Sequence, residues 1–245
     1  MSHKIEILEG ALIITDAHYS HLRPELLSLI KDIKSKKIKA TQLILMGDVF
    51  DALFGSVSYT YEQNLEMIEL LQKINQKIEI IFLEGNHDFN LKNIFSNAKI
   101  YPFSMQPLLC SFKGKHVALA HGDFDLPFSY QLYTAIIRNS LVLKILNFID
   151  KKIGDIIIQK LDLYLNKKDD CKEFKNFEAY ISKRKLQKYQ CDYFVEGHYH
   201  QNRRFDFDTY KYINLAAFAC NQRYFIVKSS KDNELIIEEN SHKEM

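Results

Sequence analysis

The chain has 245 residues, 47% of them hydrophobic and 26% charged, with 8 Gly and 4 Pro. That balance gives a globular protein able to bury a sizeable core and excludes a disordered chain. A net charge of +2 makes no overall case for nucleic acid, and no nucleic-acid partner is expected.

Residues 11–15 are apolar and β-branched and end in Asp16-Ala17-His18, the pattern of a strand feeding a loop. Pro24 sits where the first turn of a helix tolerates it, and residues 25–36 place Leu26, Leu27, Leu29, Ile30 and Ile33 on one helical face. Residues 41–46 are a second strand, with 43–46 apolar enough to be buried on both faces. Gly47 then breaks the run and delivers Asp48 at the strand's carboxyl end, with Asp51 at the mouth of the same loop. A second amphipathic helix is expected over 61–75 and a third strand over 78–83, which runs into Gly85-Asn86-His87-Asp88. Asp88 reads as the cap of a short helix that follows. Strand and helix in alternation imply right-handed βαβ crossovers and a largely parallel sheet.

After Pro102 the strands shorten to 108–112 and 116–120, joined by a Lys113-Gly114 hairpin turn, and the second ends in His121-Gly122-Asp123. Past Gln190 a strand over 193–196 runs into Gly197-His198-Tyr199-His200, and three more follow near 203–207, 210–214 and 223–228. These are expected to form a second sheet packed face to face on the first. Between the two blocks, residues 130–165 are long, helical and unusually apolar, and 138–188 hold 13 Lys/Arg against 7 Asp/Glu. The expectation is one domain, residues 1–245, carrying a helical insertion at 126–189.

The 4 cysteines, Cys110, Cys171, Cys191 and Cys220, are far apart with no Cys-x-x-Cys pair. They read as buried free thiols in a reducing compartment, Cys191 and Cys220 in the core. Residues 1–10 include His3, Lys4, Glu6 and Glu9 and so lack a signal-peptide core; no run of about 18 uncharged apolar residues occurs anywhere. A cytoplasmic location is expected.

Five segments share one design, a strand followed at once by Asp, Asn or His: Asp16/His18, Asp48/Asp51, Asn86/His87, His121/Asp123 and His198/His200. Strand ends converge on a crevice, so groups far apart in sequence can meet there. Carboxylate, imidazole and one amide oxygen suit divalent Mn, Fe, Zn, Co or Ni rather than calcium or a copper thiolate site. So many donors exceed the needs of one ion but fit two that share a bridging carboxylate, for which Asp48 is central in motif order. A two-ion site suits phosphoester hydrolysis, because it binds phosphoryl oxygens, acidifies a bridging water and aims it in line with the leaving group. His87, beside Asn86, suits a proton donor to the leaving oxygen, with Asp51 orienting it and keeping it protonated. Asp123 reads as a turn or an outer partner, and His3, His21, His116 and His242 have no such context.

In that order, Asp-x-His, Gly-Asp-x-x-Asp, Gly-Asn-His-Asp, His-Gly-Asp and Gly-His-x-His resemble the five signature motifs of the calcineurin-like metallophosphoesterases, with every metal-binding position filled. The resemblance implies an α/β fold, a four-layer αββα sandwich, around a dinuclear centre. One ion would be bound by Asp16, His18, Asp48 and His200, the other by Asp48, Asn86, His121 and His198, with His87 and Asp51 as the acid pair.

The insertion allows two readings, an apolar face packed on the sandwich or a surface for acyl chains or membrane. Its opening, with Tyr130, Tyr133, Arg138 and Asn139, is similar to the lid of the UDP-2,3-diacylglucosamine pyrophosphatases of lipid A synthesis. That resemblance implies cleavage of an acylated UDP-sugar to UMP and 2,3-diacylglucosamine 1-phosphate by a protein lying on the inner membrane surface. Asn86, His87, Asp123, Tyr130, Tyr133, Arg138 and Asn139 would then contact substrate. Those enzymes commonly carry Arg where this chain has His87, which keeps open a soluble nucleotide phosphodiesterase or phosphatase. A metal-bearing scaffold without activity would be expected to lose a ligand or the acid, and none is lost here.

Overall fold

The computed structural model describes residues 5–125, 127–165, 167 and 170–243. The first half runs β1 (Ile5–Glu6), β2 (Leu12–Ile14), α1 (Glu25–Lys34), β3 (Gln42–Leu45), β4 (Leu53–Phe54), α2 (Ser58–Gln63), α3 (Leu65–Asn75), β5 (Glu79–Leu83), β6 (Asp88–Phe89) and β7 (Lys99–Tyr101). A hairpin of β8 (Leu108–Phe112) and β9 (Lys115–Ala120) turns at Lys113 and Gly114, both at positive φ. Four helices follow, α4 (Phe128–Ile137), α5 (Ser140–Lys152), α6 (Ile156–Leu165) and α7 (Phe177–Lys183). The chain closes with β10 (Tyr193–Glu196), β11 (Arg203–Phe207), β12 (Tyr210–Asn214), α8 (Phe218–Asn221), β13 (Arg223–Ser229) and β14 (Leu235–Ser241).

Two six-stranded sheets result, ordered β14-β13-β2-β3-β5-β7 and β1-β8-β9-β10-β12-β11. As the strand–helix alternation requires, β2, β3, β5 and β7 run parallel. Side chains alternate across each strand, and the alternation sorts the core into layers. Leu12, Ile14, Leu43, Leu45, Ile80 and Phe82 pack with Leu26, Leu29, Ile30, Met67, Ile68 and Leu71 of α1 and α3. Their neighbours Ile13, Ile44, Ile81 and Leu83 point the other way, onto Cys110, Val117, Leu119, Tyr193 and Val195 of the second sheet. Ala118, Ala120, Phe194 and Tyr212 leave by the far face and are covered by Phe177, Ile181 and Leu186. The layers are therefore helix, sheet, sheet, helix, an αββα sandwich.

Local expectations needed correction where tertiary contacts intervene. Residues 223–229 pair antiparallel with β2 and β14, so this hairpin widens the first sheet instead of joining the second. The helix expected over 61–75 is two, divided at Asn64, whose side-chain amide donates to the carbonyls of Ala52 and Thr60; such a bond competes with the helical ladder. The helix over 130–165 is three, divided at Asn139, which caps α5, and at Gly154 and Asp155, both at positive φ. Cys171 and Cys220 are not free thiols: they form a disulfide with Cα atoms 5.5 Å apart. Cys110 and Cys191 are buried and lie outside this disulfide.

Among the described residues no single helix is long and apolar enough to cross a membrane; α4 and α5 reach that length and apolarity only as a pair bent by 61°.

Candidate metal centre

The carboxyl ends of β2, β3, β5, β9 and β10 open into one crevice, and the loops leaving them turn sharply. Asp16, His18, Asp48, His198 and His200 all have φ between 46° and 61°. Asp and His tolerate this left-handed region better than most residues, yet each such position costs about 1–3 kcal/mol. Gly47 has φ +84°, and a Cβ there would stand 2.5 Å from His121 Nδ1. At Gly85 a Cβ would stand 2.2 Å from Asp48 Oδ1. Glycine at these two points lets the second, third and fourth motifs close on one another.

Two clusters of donors form. Asp16, His18 and His200 offer ligand atoms within 4.8 Å of one another, and so do Asp48, His121 and His198. His200 Nε2 lies 3.0 Å from Asp16 Oδ1, and His121 Nε2 lies 3.4 Å from Asp48 Oδ2 and 3.3 Å from Asn86 Oδ1. His18, Asp51 and His87 make a third, overlapping group, with the His18 and His87 rings 4.8 Å apart.

The main chain orients most of these imidazoles. Nδ1 of His121 faces the Met46 carbonyl at 3.0 Å, Nδ1 of His87 faces the Asp51 carbonyl at 2.8 Å, and Nδ1 of His200 faces the Asp170 carbonyl. A carbonyl only accepts, so each Nδ1 carries hydrogen and each Nε2 is left for the crevice. The expected acid pair changes accordingly. The Asp51 backbone holds His87, while the Asp51 carboxylate is 3.8 Å from that ring and nearer to His18, at 3.4 Å.

Asp88 is no helix cap. Its carboxylate accepts from the N–H groups of Asp48 at 3.0 Å, Gly85 at 2.9 Å, Val49 at 2.7 Å and Phe50 at 3.3 Å. It thereby fastens the second motif to the third, and Glu84 takes the Leu91 N–H, at 2.8 Å, in its place. The fifth motif is fastened from the helical segment: Arg184 bridges Asp125 at 2.8 Å and Glu196, the residue before Gly197, at 2.5 Å.

Burial is the largest single influence on Asp16, Asp48, His121 and His200 in the crevice, and the neighbouring charges together outweigh it. Burial disfavours an ionised Asp16, but His200 and His121 outweigh it and hold the carboxyl down at about 2. Asp48 is likewise buried, and His121, His87 and His18 hold it well below the usual carboxylate range. Burial works against a charge on His200, yet Asp16 and Asp170 push it up to about 9. His121 rises well above its usual value, against its own burial, because of Asp48, Asp123 and Asp16. Burial and the neighbouring His121 take His198 down to about 4.

The residues fit a divalent cation. Among the described residues, both ring nitrogens of His18 and both carboxylate oxygens of Asp51 are buried without a well-formed hydrogen bond, the two side chains meeting each other at 3.4 Å, a state buried polar atoms rarely occupy. Lone pairs of carboxylate and imidazole, with no thiolate among them, are the donors such an ion takes.

Beyond Asn86 and His87 the crevice continues into a cleft of about 310 Å³, lined also by Tyr130, Tyr133, Arg138, Phe54, Phe89, Ile137, Leu143 and Leu165. Arg138 donates to the Gly85 carbonyl at 3.0 Å and to Asp123 at 3.2 Å, and among the described residues its Nη1 has no hydrogen-bond acceptor. Two residues expected to touch substrate lie elsewhere. Asp123 is fully buried and braces Arg138 and Tyr130, and the Asn139 side chain accepts from Leu141 and Val142 as the cap of α5.

The chain belongs to the calcineurin-like phosphoesterases, whose family model matches residues 11–202, and it is a metal-dependent phosphoester hydrolase. The UDP-2,3-diacylglucosamine hydrolase of Blochmanniella pennsylvanica is 25% identical over 197 residues, 78% of each chain. The protein of that name from Haemophilus influenzae is 24% identical over 202 residues, 79% of this chain and 84% of its own. Among solved structures, an archaeal phosphodiesterase is 13% identical with a TM-score of 0.44, over 94% of this chain and 99% of that one.

Proposed function

We propose that the chain cleaves the diphosphate of UDP-2,3-diacylglucosamine to give UMP and 2,3-diacylglucosamine 1-phosphate. The observation that carries this reading is the two-faced cleft. Asn86 and His87 stand at its polar end, and Phe54, Phe89, Ile137, Leu143 and Leu165 make an apolar wall. A phosphate head suits the first and an alkyl chain the second, whereas a free nucleotide has no use for such a wall. The names of the relatives support the same substrate. On this reading residues 126–189 are a lid within a single domain.

Asp16, His18, Asp48 and His200 would hold one divalent ion, and Asp48, Asn86, His121 and His198 a second, with manganese the ion we favour. When bound, such ions supply positive charge to phosphoryl oxygens and acidify a water. The chain's own groups do the rest. Asn86 and Arg138 hold the phosphate, Asp123 braces Arg138 from behind, and the rings of Tyr130 and Tyr133 flank the chain-binding wall. His87 Nε2, 4.0 Å from Asp48 Oδ2, gives a proton to the leaving oxygen.

The solvent side of α4–α6 bears Phe128, Tyr133, Leu141, Phe148, Ile157 and Tyr164, between 56% and 78% exposed, among lysines. Such a surface would seat the protein on an anionic membrane.

A manganese-supplemented assay tests the substrate by comparing UDP-2,3-diacylglucosamine, the deacylated UDP-sugar and a simple phosphodiester. Burying even a few methylenes at about 0.8 kcal/mol each predicts a preference for the acylated substrate above about tenfold. Equal rates on the two UDP-sugars would leave a general phosphodiesterase in its place.

A further inference from the structure

We propose that Asp170, anchored by the Cys171–Cys220 disulfide, is the positioning residue for one half of the centre, the group Asp16, His18 and His200. The inference rests on reading that group as a metal subsite. Asp170 belongs to none of the five motifs, yet three contacts converge on it. Its backbone carbonyl accepts from His200 Nδ1. One carboxylate oxygen lies 4.0 Å from His18 Nε2, and the other is paired with Arg23, with the side chain only 7% exposed.

Asp170 is also fastened from behind. Its neighbour Cys171 is bonded to Cys220 in α8. The first turn of α8 hangs on the first motif, because Phe218 N–H donates to the Thr15 carbonyl at 3.0 Å and Ala219 N–H to the Asp16 carbonyl at 3.2 Å. His200 Nε2 meets the Asp16 carboxylate at 3.0 Å and closes the circuit. The circuit runs from Asp16 through α8, the disulfide and Asp170 to His200, and back to Asp16.

Its consequence is directional. Once the Arg23 pair or the disulfide no longer holds the Asp170 carbonyl in place, His200 Nδ1–H loses the acceptor it has among the described residues, and nothing there fixes which ring nitrogen faces Asp16. The other subsite has no such dependence, since His121 is held by the carbonyl of Met46, at the end of β3 in the core. Loosening the tether should therefore weaken one ion and spare the other.

Cobalt(II) titration of the metal-stripped full-length protein tests this by calorimetry and visible absorption. Wild type should take up two ions. Asp170→Ala, and separately the Cys171→Ser/Cys220→Ser double variant, should bind one ion as wild type does and the second about 10–100-fold more weakly. Asp170→Glu, which keeps a carboxylate for Arg23, should recover most of the loss. Two wild-type affinities in both variants would overturn the proposal. So would equal loss of both ions with a lowered melting temperature of the metal-free protein, the mark of a merely structural role. A wild type that binds no cobalt would instead remove the metal reading beneath it.

Discussion

The crevice at the strand ends and the helices α4–α6 depart from the usual arrangement of a folded chain in opposite directions. In the crevice polar groups are buried, with Asp16 and His121 at 0% and Asp48 at 3% exposure. On α4–α6 apolar groups are outside, with Phe128 at 78% and Phe148 at 63%. Even the polarity of α5 is reversed in part: Asp150 is buried, accepting the Ile157 and Ile158 N–H groups at 2.8 and 2.9 Å. Burying charge costs stability unless a partner offsets it, and an exposed apolar surface of this kind marks something to be covered.

The two regions also differ in how they are held. Loops crossing between motifs fix the crevice through Asp88, Gly47 and Gly85. The helices rest on the sandwich through a small cluster, Leu143 and Ile158 against Val57 and Phe89. The crevice is thus cross-linked from motif to motif, whereas among the described residues α4–α6 share only this small buried apolar cluster with the sandwich.

The comparison breaks most sharply at Asp48. Asp48→Ala should abolish turnover and strip most of the bound metal, as read by elemental analysis and a phosphodiester assay; wild-type turnover would show that the crevice is not the catalytic centre. His87→Ala should lower kcat by about 10²–10⁴-fold with the metal content unchanged, because a proton donor is not a ligand. Loss of metal would make His87 structural.

Proton linkage comes next. An unfolded His titrates near 6.5, whereas His200 in the metal-free fold is pushed up to about 9. The stability it contributes is present in full below the unfolded value and is lost as the pH rises through about 9. Melting of metal-stripped protein across that window checks the sign. Metal must displace the same proton, so its affinity should fall with the pH, by up to about tenfold per unit for each proton displaced. Chelator competition reads that slope.

A smaller effect is expected at Gly47. Gly47→Ala should cost at least about 1–3 kcal/mol through its positive φ and its contact with His121. That lowers the melting point by about 2–4 °C per kcal/mol. Smallest of all in stability is the exposed apolar surface of α4–α6. Phe148→Ser with Leu141→Ser should leave stability within about 0.5 kcal/mol per site, while co-sedimentation with anionic liposomes falls. A large loss of stability there would mean that the helices pack more tightly than their exposure indicates.

The strand ends were legible because the signal is local. A short apolar run, a glycine and then Asp, Asn or His place each donor before any tertiary contact is known, and Asp16, His18, Asp48, Asn86, His121, His198 and His200 came out of that pattern. Alternation within strands such as 43–46 likewise sorts side chains to two faces without further information.

By itself, then, the sequence determined the order of the elements, the Asp, Asn and His residues that follow the strand ends, and the apolar composition of residues 130–165. Only the tertiary structure decided that β13 crosses to the first sheet, that Asp88 fastens two motifs, that the Asp51 backbone holds His87, and that Cys171 meets Cys220 across a separation of 49 residues. Asp170 reaches His200 from 30 residues away in the same manner. Such contacts depend on where packed layers bring distant segments together, and no spacing along the chain encodes that.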